Sequence, residues 1–389
     1  MQPPFVSWES ERSVPSSRNV DVSVVASATS WIEGEAVAQL EATARLLGVV
    51  RAVGLPDLHP GRGTPIGAVF FSEGLLYPHL VGADIGCGMG LFRTGICARS
   101  AKRDRWAKRL SGLETEWDGD AAAFLAARGV AASEFEGALG TIGGGNHFAE
   151  LVRVERLVDE AACERLGLAA DELSVLVHSG SRGLGDAILR RHTSVRGAEG
   201  LEAMSEEGER YLAAHDHAVA WAAANRALIA DRFIEQLSGA SAPLLDVVHN
   251  AVTRRGDQWL HRKGAAPHDA GPVVVPGSRG SFSYLIVPEG DGVAGGFSLP
   301  HGAGRKWKRS DARARVRASD RREQLEQTAL GSRVICEDKD LLYEEAPAAY
   351  KDIDRVIADT ESHGLARTIA VLRPVLTYKV RRSIEVFGQ

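Results

Sequence analysis

Between residues 81 and 90 the chain reads Val81-Gly82-Ala83-Asp84-Ile85-Gly86-Cys87-Gly88-Met89-Gly90, a carboxylate and a thiol three positions apart among four glycines. Glycine reaches backbone angles that other residues avoid, so such a segment turns sharply and brings its main chain close to an ion or a phosphate. Asp offers an oxygen and Cys, once ionised, a soft sulfur; together they are half of a metal site. Imidazoles from elsewhere must supply the other half. Any fold that serves this segment has to gather distant histidines onto it.

Of the 12 histidines, four are placed to do so. Apolar runs at 173–177 and 244–248 read as strands. The first stops at His178, followed by Ser179-Gly180-Ser181-Arg182-Gly183-Leu184-Gly185, and the second at His249-Asn250. His147 ends the glycine run that opens at Leu139 and leads into Phe148-Ala149-Glu150, and His301 opens His301-Gly302-Ala303-Gly304-Arg305. Ligands gather where strands leave the packed core. Four core histidines would each need both ring nitrogens satisfied, an odd way to fill a core. His79, His192, His215, His217 and His363 read as structural, and His59 as part of a loop. His261 and His268 fit solvent as well as phosphate.

In order, the pattern predicts a strand over 20–25, a helix over 33–47 closed by Gly48, and a loop over 55–63 from its prolines and glycines. Strands follow over 66–71 and 75–81, then helices over 99–112 and 120–128. A long Ala-rich helix covers 201–237, with strands at 273–275 and 284–287 and an apolar stretch at 369–376 ending in Tyr378-Lys379. The basic run 305–322 reads as a solvated helix, Arg305 as a phosphate clamp, and Trp307 as a side chain able to stack on a base.

The 389 residues are 44% hydrophobic and 25% charged, ordinary for a globular chain. Against 51 acidic residues stand 46 basic ones, a net charge of −5, which argues against coating nucleic acid over the whole surface and leaves room for a local basic groove. No secretion signal, membrane-length apolar run or CxxC pair is present, so the reading is cytoplasmic. No repeat or low-complexity tract is found.

The same motifs resemble the RtcB family of RNA ligases: Gly82-Ala83-Asp84-Ile85-Gly86-Cys87-Gly88-Met89, Gly145-Asn146-His147-Phe148, His178-Ser179-Gly180-Ser181-Arg182-Gly183, His249-Asn250, Pro276-Gly277-Ser278 and His301-Gly302-Ala303-Gly304-Arg305, in order, from the Pro56-Asp57 loop to Lys379. The resemblance implies an α+β fold, one domain over 1–389 with central sheets carrying the metal loops and helices outside. It implies an enzyme that uses two manganese ions and GTP to join an RNA 3′-phosphate or 2′,3′-cyclic phosphate to a 5′-hydroxyl, in RNA repair or tRNA splicing.

Carried over by motif, the metal ligands are Asp84, Cys87, His147, His178 and His249, and His301 is the histidine that takes GMP. Asn146, His147, Phe148, Ala149, Glu150, His249, Asn250, Pro276, Gly277, Ser278, Arg279, Ser283, His301, Gly302, Ala303, Gly304 and Lys379 fall where the family holds the guanylate. Arg182 and Arg305 are candidates to hold phosphate. Departures are Pro300 in place of Ser, Arg279 in place of Met, the basic Lys306-Trp307-Lys308-Arg309 and the absence of glycine after Lys379. They resemble a divergent, shorter branch with a release-factor-H-like partner. Two other classes compete: a metal-dependent cyclic-phosphate hydrolase or phosphodiesterase, which needs no nucleophilic His301, and a non-catalytic RNA- or ribosome-binding factor. From the ligands alone, sulfur and imidazole suit zinc; the resemblance points to manganese.

Overall fold

The computed structural model describes residues 20–381, so the N-terminal stretch in which no secretion signal is read lies outside the described residues. Strand after strand ends at one of the motifs above. In the larger sheet the hydrogen-bonded order is Val273–Pro276, Ser283–Pro288, Ala366–Val380, Phe148–Leu157, Glu172–Ser179, Gly88–Cys97 and Ala242–Val248, with Arg333–Cys336 parallel to the far half of Ala366–Val380. Glu172–Ser179 is buried along nearly its whole length, because both faces of the sheet are covered.

The long helix Glu206–Gln236 covers one face, setting Ile229, Ala230, Phe233 and Ile234 against Leu151, Val175 and Val177. On the other face Met89, Leu91, Val152 and Leu176 pack with Val274, Leu285 and Leu372. Ser205 caps the helix by accepting from Gly208 N at 3.1 Å, and Glu206, Glu207 and Glu209 favour its positive end. The helix starts later than position 201 because Leu201–Glu202 pairs as a strand with Leu75–Leu76.

A second sheet runs Asp21–Val24, Val49–His59, Ile66–Glu73, Gln258–Lys263, Asn250–Arg255. The two sheets meet at His249. Ala242–Val248 is an edge of the first, and the chain passes through His249 into Asn250–Arg255, an edge of the second. The architecture is α+β, as expected.

Three local expectations are corrected. Residues 55–59 are not loop: the strand Val49–His59 continues through Pro56, and its ladder to Ile66–Glu73 shifts register between Gly54 and His59, which leaves room for a residue without N–H. Residues 75–81 are not one strand but the short Leu75–Leu76 and a helical turn, Pro78–Val81, with proline in its first turn. The helix expected over 99–112 is only Arg103–Arg109. No helix among the described residues is long and apolar enough to cross a membrane.

Candidate active site

Sheet register brings the site together. Met89 and Phe148 both lie opposite His178, and Gly88 lies opposite both Ser179 and Val248. His147, His178, Cys87 and His249 therefore sit at the same end of four adjacent strands. Cys87 Sγ is 3.5 Å from His147 Nε2 and 3.2 Å from His178 Nε2, and these three donor atoms lie within 4.8 Å of one another. Asp84 Oδ2 is 2.7 Å from His147 Nε2, and His178 Nε2 is 3.3 Å from His249 Nε2.

The outer ring nitrogens fix which atoms face inward. His147 Nδ1 donates to Ile142 O at 3.1 Å and His178 Nδ1 to Asn146 O at 3.3 Å, so the Nε2 lone pairs point at sulfur, carboxylate and each other. Lone pairs so crowded need a cation between them. Burial pushes His178 and His249 well below the ordinary histidine range, keeping them neutral and able to ligate. Burial, with the Asp84 charge, pushes the Cys87 thiol well up, so the thiolate needs a positive charge at the site. Sulfur, imidazole and carboxylate donors in this arrangement fit a borderline divalent metal ion. Cys87 stands between two donor pairs, Asp84 with His147 and His178 with His249.

Groups behind these ligands hold the loops. Arg226, fully buried in the long helix, pairs with Asp246 and donates to Gly86 O at 2.7 Å and Ser179 O at 2.9 Å. Asn250 Nδ2 donates to Asp84 O at 3.2 Å, while its Oδ1 accepts from Gly264 N at 2.7 Å, tying the Asp84 loop to the turn beside His301. Asp84 presses so close to Gly180 that a Cβ there would overlap Oδ1.

Asp84, Cys87, His178 and His249 line one part of a cavity of about 830 Å³, a volume suited to a nucleotide. His301 lines it too, its ring 4.8 Å from that of His249 and stacked at 6.3 Å on His59. Asp57 Oδ2 accepts from His301 Nδ1 at 2.6 Å and from His301 N at 3.1 Å. The tautomer this fixes leaves the Nε2 lone pair free.

Of the residues assigned to guanylate, Asn146, Phe148, Glu150, His249, Asn250, Pro276, Gly277, Ser278, Arg279, His301, Gly302, Ala303, Gly304 and Lys379 line this cavity. His147 instead lines an adjoining cleft of about 480 Å³ that shares Asp84 and Asn146. Ala149 packs in the core beneath the long helix. Ser283 is buried opposite Pro276. Arg182 lies outside the cavity lining, at φ +56, with Nε 3.5 Å from Thr141 Oγ1 and its guanidinium filling the space over Gly143.

Arg305 lines the cavity, but its guanidinium is held by Glu345 Oε1 and Glu344 O, each at 2.9 Å, and by Trp307 O at 3.1 Å. Burial raises the Glu345 carboxyl, yet Lys379 and Arg305 outweigh it and hold the group down at about 2. Burial lowers Lys379 to about 8 and raises Glu150 to about 7.

Sequence reasoning missed Asp57, His59, Lys263, Glu345 and Arg226. Lys263 lines the cavity and donates to Thr64 Oγ1 at 2.8 Å; burial lowers it to about 8. Arg226 left a faint signal, a lone cation four residues from both Ala222 and Ala230 on an apolar helix face. The histidines read as structural include His215, which accepts from Val252 N at 2.9 Å, and His192, bonded to Glu199 O at 3.0 Å. His261, left between solvent and phosphate, is buried and accepts from Tyr77 N at 2.8 Å.

A cluster of sulfur and imidazole donors that could hold a metal ion opens on a nucleotide-sized cavity beside an oriented histidine, the arrangement of an enzyme active site. Residues 39–119 and 122–380 match the family model described as tRNA-splicing ligase RtcB. RNA-splicing ligase RtcB2 of Escherichia coli is 48% identical over 362 residues, covering 92% of this chain and 95% of that protein. RNA-splicing ligase RtcB of Mycobacterium tuberculosis is 31% identical over 437 residues, covering 87% and 99%. The tRNA-splicing ligase RtcB of Aeropyrum pernix is 26% identical over 416 residues, covering 82% and 86%. The chain belongs to the RtcB family of RNA ligases.

Proposed function

We propose that this ligase joins an RNA 3′-phosphate or 2′,3′-cyclic phosphate end to a 5′-hydroxyl end in RNA repair or tRNA splicing, using GTP and two manganese ions and carrying GMP on His301. The observation that carries the reading is the 2.6 Å bond from His301 Nδ1 to Asp57, which leaves the Nε2 lone pair free on a ring that lines a nucleotide-sized cavity. Asp84, Cys87, His147, His178 and His249 would hold the cations, which neutralise phosphate charge when bound.

The chemistry divides one hard condensation into displacements. Water first opens any cyclic phosphate: its oxygen bonds to phosphorus, the bond to the 2′-oxygen breaks, and that oxygen takes a proton from the water, leaving a 3′-phosphate. The His301 Nε2 lone pair then attacks the α-phosphorus of GTP, and the bond to pyrophosphate breaks. An oxygen of the RNA 3′-phosphate attacks the same phosphorus, and the P–N bond breaks to return the lone pair to Nε2. Finally the 5′-hydroxyl oxygen attacks the activated 3′-phosphate, GMP leaves, and the hydroxyl proton passes to solvent.

Asp57 holds the imidazole throughout and stabilises the charge that develops on it. Glu150 and Lys379, facing the cavity from paired strands, would read the guanine edge. The cytoplasm is the compartment of this reading, and a release-factor-H-like protein its partner.

The test is sealing of a 3′-phosphate RNA to a 5′-hydroxyl RNA. Joined product that depends on both manganese and GTP supports the reading. A 3′-phosphate released from cyclic ends without any joined product favours the hydrolase instead.

A further inference from the structure

The chain carries a net charge of −5, yet residues 99–109 hold six cations, Arg99, Lys102, Arg103, Arg105, Lys108 and Arg109, against one carboxylate, Asp104. Part of this run lines a cleft of about 520 Å³ that shares no residue with the cavity holding His301. The helix Arg103–Arg109 is fixed there by Trp106, which is buried in one core with Leu151, Ile335 and Tyr378. The sheet supplies Arg153 and Arg373, which lie directly opposite each other on the paired strands Phe148–Leu157 and Ala366–Val380.

Like charges directly opposite on antiparallel strands destabilise the pairing. One carboxylate offsets this pair: Arg373 is bonded to both oxygens of Glu155 at 2.6 Å, and Arg153 is 3.8 Å from the same group. Asp104 is likewise shared, 3.4 Å from both Arg103 and Arg333. Two carboxylates therefore serve four arginines. Lys102 and Arg105 line the cleft exposed, with no ion pair or side-chain hydrogen bond among the described residues, and Arg103 Nε is buried without a partner.

A surplus of cations on rigid elements suits an anion that carries several charges. Most of these cations are arginines, whose planar fork takes phosphate oxygens in pairs. The lining holds no aromatic side chain, the type enriched at the centre of protein–protein contacts. On the same two strands Glu150 and Lys379 line the cavity, three residues from Arg153 and six from Arg373. Cleft and cavity are thus roughly 10–20 Å apart along the sheet. A single strand with its end in the cavity crosses that distance in a few nucleotides.

We propose that this cleft is a second RNA-binding surface, which grips backbone phosphates of the substrate a few nucleotides from the end held beside His301. The inference rests on the reading above only for the placing of that end. Contacts of this kind position an RNA without reading its sequence.

The test pairs a footprint on the natural chain with binding by Lys102→Gln/Arg105→Gln, two exposed positions. The probes are a 3′-phosphate dinucleotide and a 3′-phosphate RNA of about 20 nucleotides. The longer RNA should shield Lys102 from acetylation and the dinucleotide should not. The double variant should bind the longer RNA about ten-fold more weakly, with a salt slope lower by about 1.4, while dinucleotide binding and labelling by GTP stay unchanged. The footprint stands even if the variant misfolds. Equal acetylation of Lys102 with and without the longer RNA bound overturns the inference, as does an unchanged salt slope in the folded variant. Shielding by polyglutamate but not by RNA also overturns it, and assigns the cleft to an acidic polypeptide. Shielding by RNA that is never sealed overturns the joining reaction alone and supports this surface.

Discussion

Asp57 and His301 are 244 positions apart, and Asp57 Oδ2 lies 2.6 Å from His301 Nδ1 and 3.1 Å from its backbone N. One carboxylate oxygen thus fixes the ring's tautomer and the direction from which the chain enters the turn. Asp57→Asn keeps the shape and removes the charge. It should slow labelling by GTP about a hundred-fold or more while leaving bound manganese near its usual amount. Single-turnover labelling alongside metal analysis checks this.

Cys87 Sγ lies between His147 and His178, which makes it the shared donor of the proposed metal site. Cys87→Ala should lower the manganese retained after dialysis. It should also abolish the rise in unfolding temperature that added manganese gives the natural chain, since a ligand stabilises only the state that binds it. A thermal shift titration reads both proteins directly.

Arg226 joins the long helix to the two loops that carry Cys87 and His178. Removing it strands the buried carbonyls of Gly86 and Ser179 and leaves Asp246 unpaired. Arg226→Met should destabilise the fold by about 3–5 kcal/mol in urea denaturation, with metal content falling in step.

Glu345 gives the fold an acid-sensitive element. Its folded pKa, about 2, lies below the ordinary 4.5, so it adds stability above pH 4.5 that is lost as pH falls towards 2. The contribution is on the order of 3 kcal/mol. Glu345→Gln should flatten the pH dependence of stability in that window, as followed by denaturant midpoints at stepped pH.

The basic segment after Arg305 divides into paired and unpaired cations. Lys308 is bonded to Glu35 at 2.9 Å and Arg309 to Glu345 at 3.4 Å, whereas Lys306 and Arg315 make no ion pair among the described residues and lie over the Trp307 ring. Neutralising Lys306 and Arg315 together should lower the salt slope of RNA binding by about 0.7 per lost phosphate contact, and neutralising Lys308 should change it little. Binding isotherms across a salt series measure the slope.

Much of the site was legible in the sequence because its candidate metal ligands stand at boundaries visible in one dimension. His178 and His249 end apolar runs, and Cys87 and His147 precede strands behind glycines. What was not legible depends on distant partners or on strand geometry. Asp57 hides in a Pro-containing stretch that looks like loop, and only the fold brings it to His301.

Arg305 reads as a phosphate clamp until Glu345 is folded against it. Ala149 stands between two cavity residues, yet successive residues of a strand face opposite ways, so it points into the core. At 75–81 the apolar run hid a proline that starts a helical turn.

His301 is the proposed carrier of the nucleotide. Mapping the site of modification by peptide mass spectrometry, after incubation with GTP and manganese, tests it most directly. One guanylyl group should be found on the peptide that contains His301, absent from His301→Ala and discharged by 3′-phosphate RNA. An adduct on another residue, or none on the metal-loaded chain, would contradict the account.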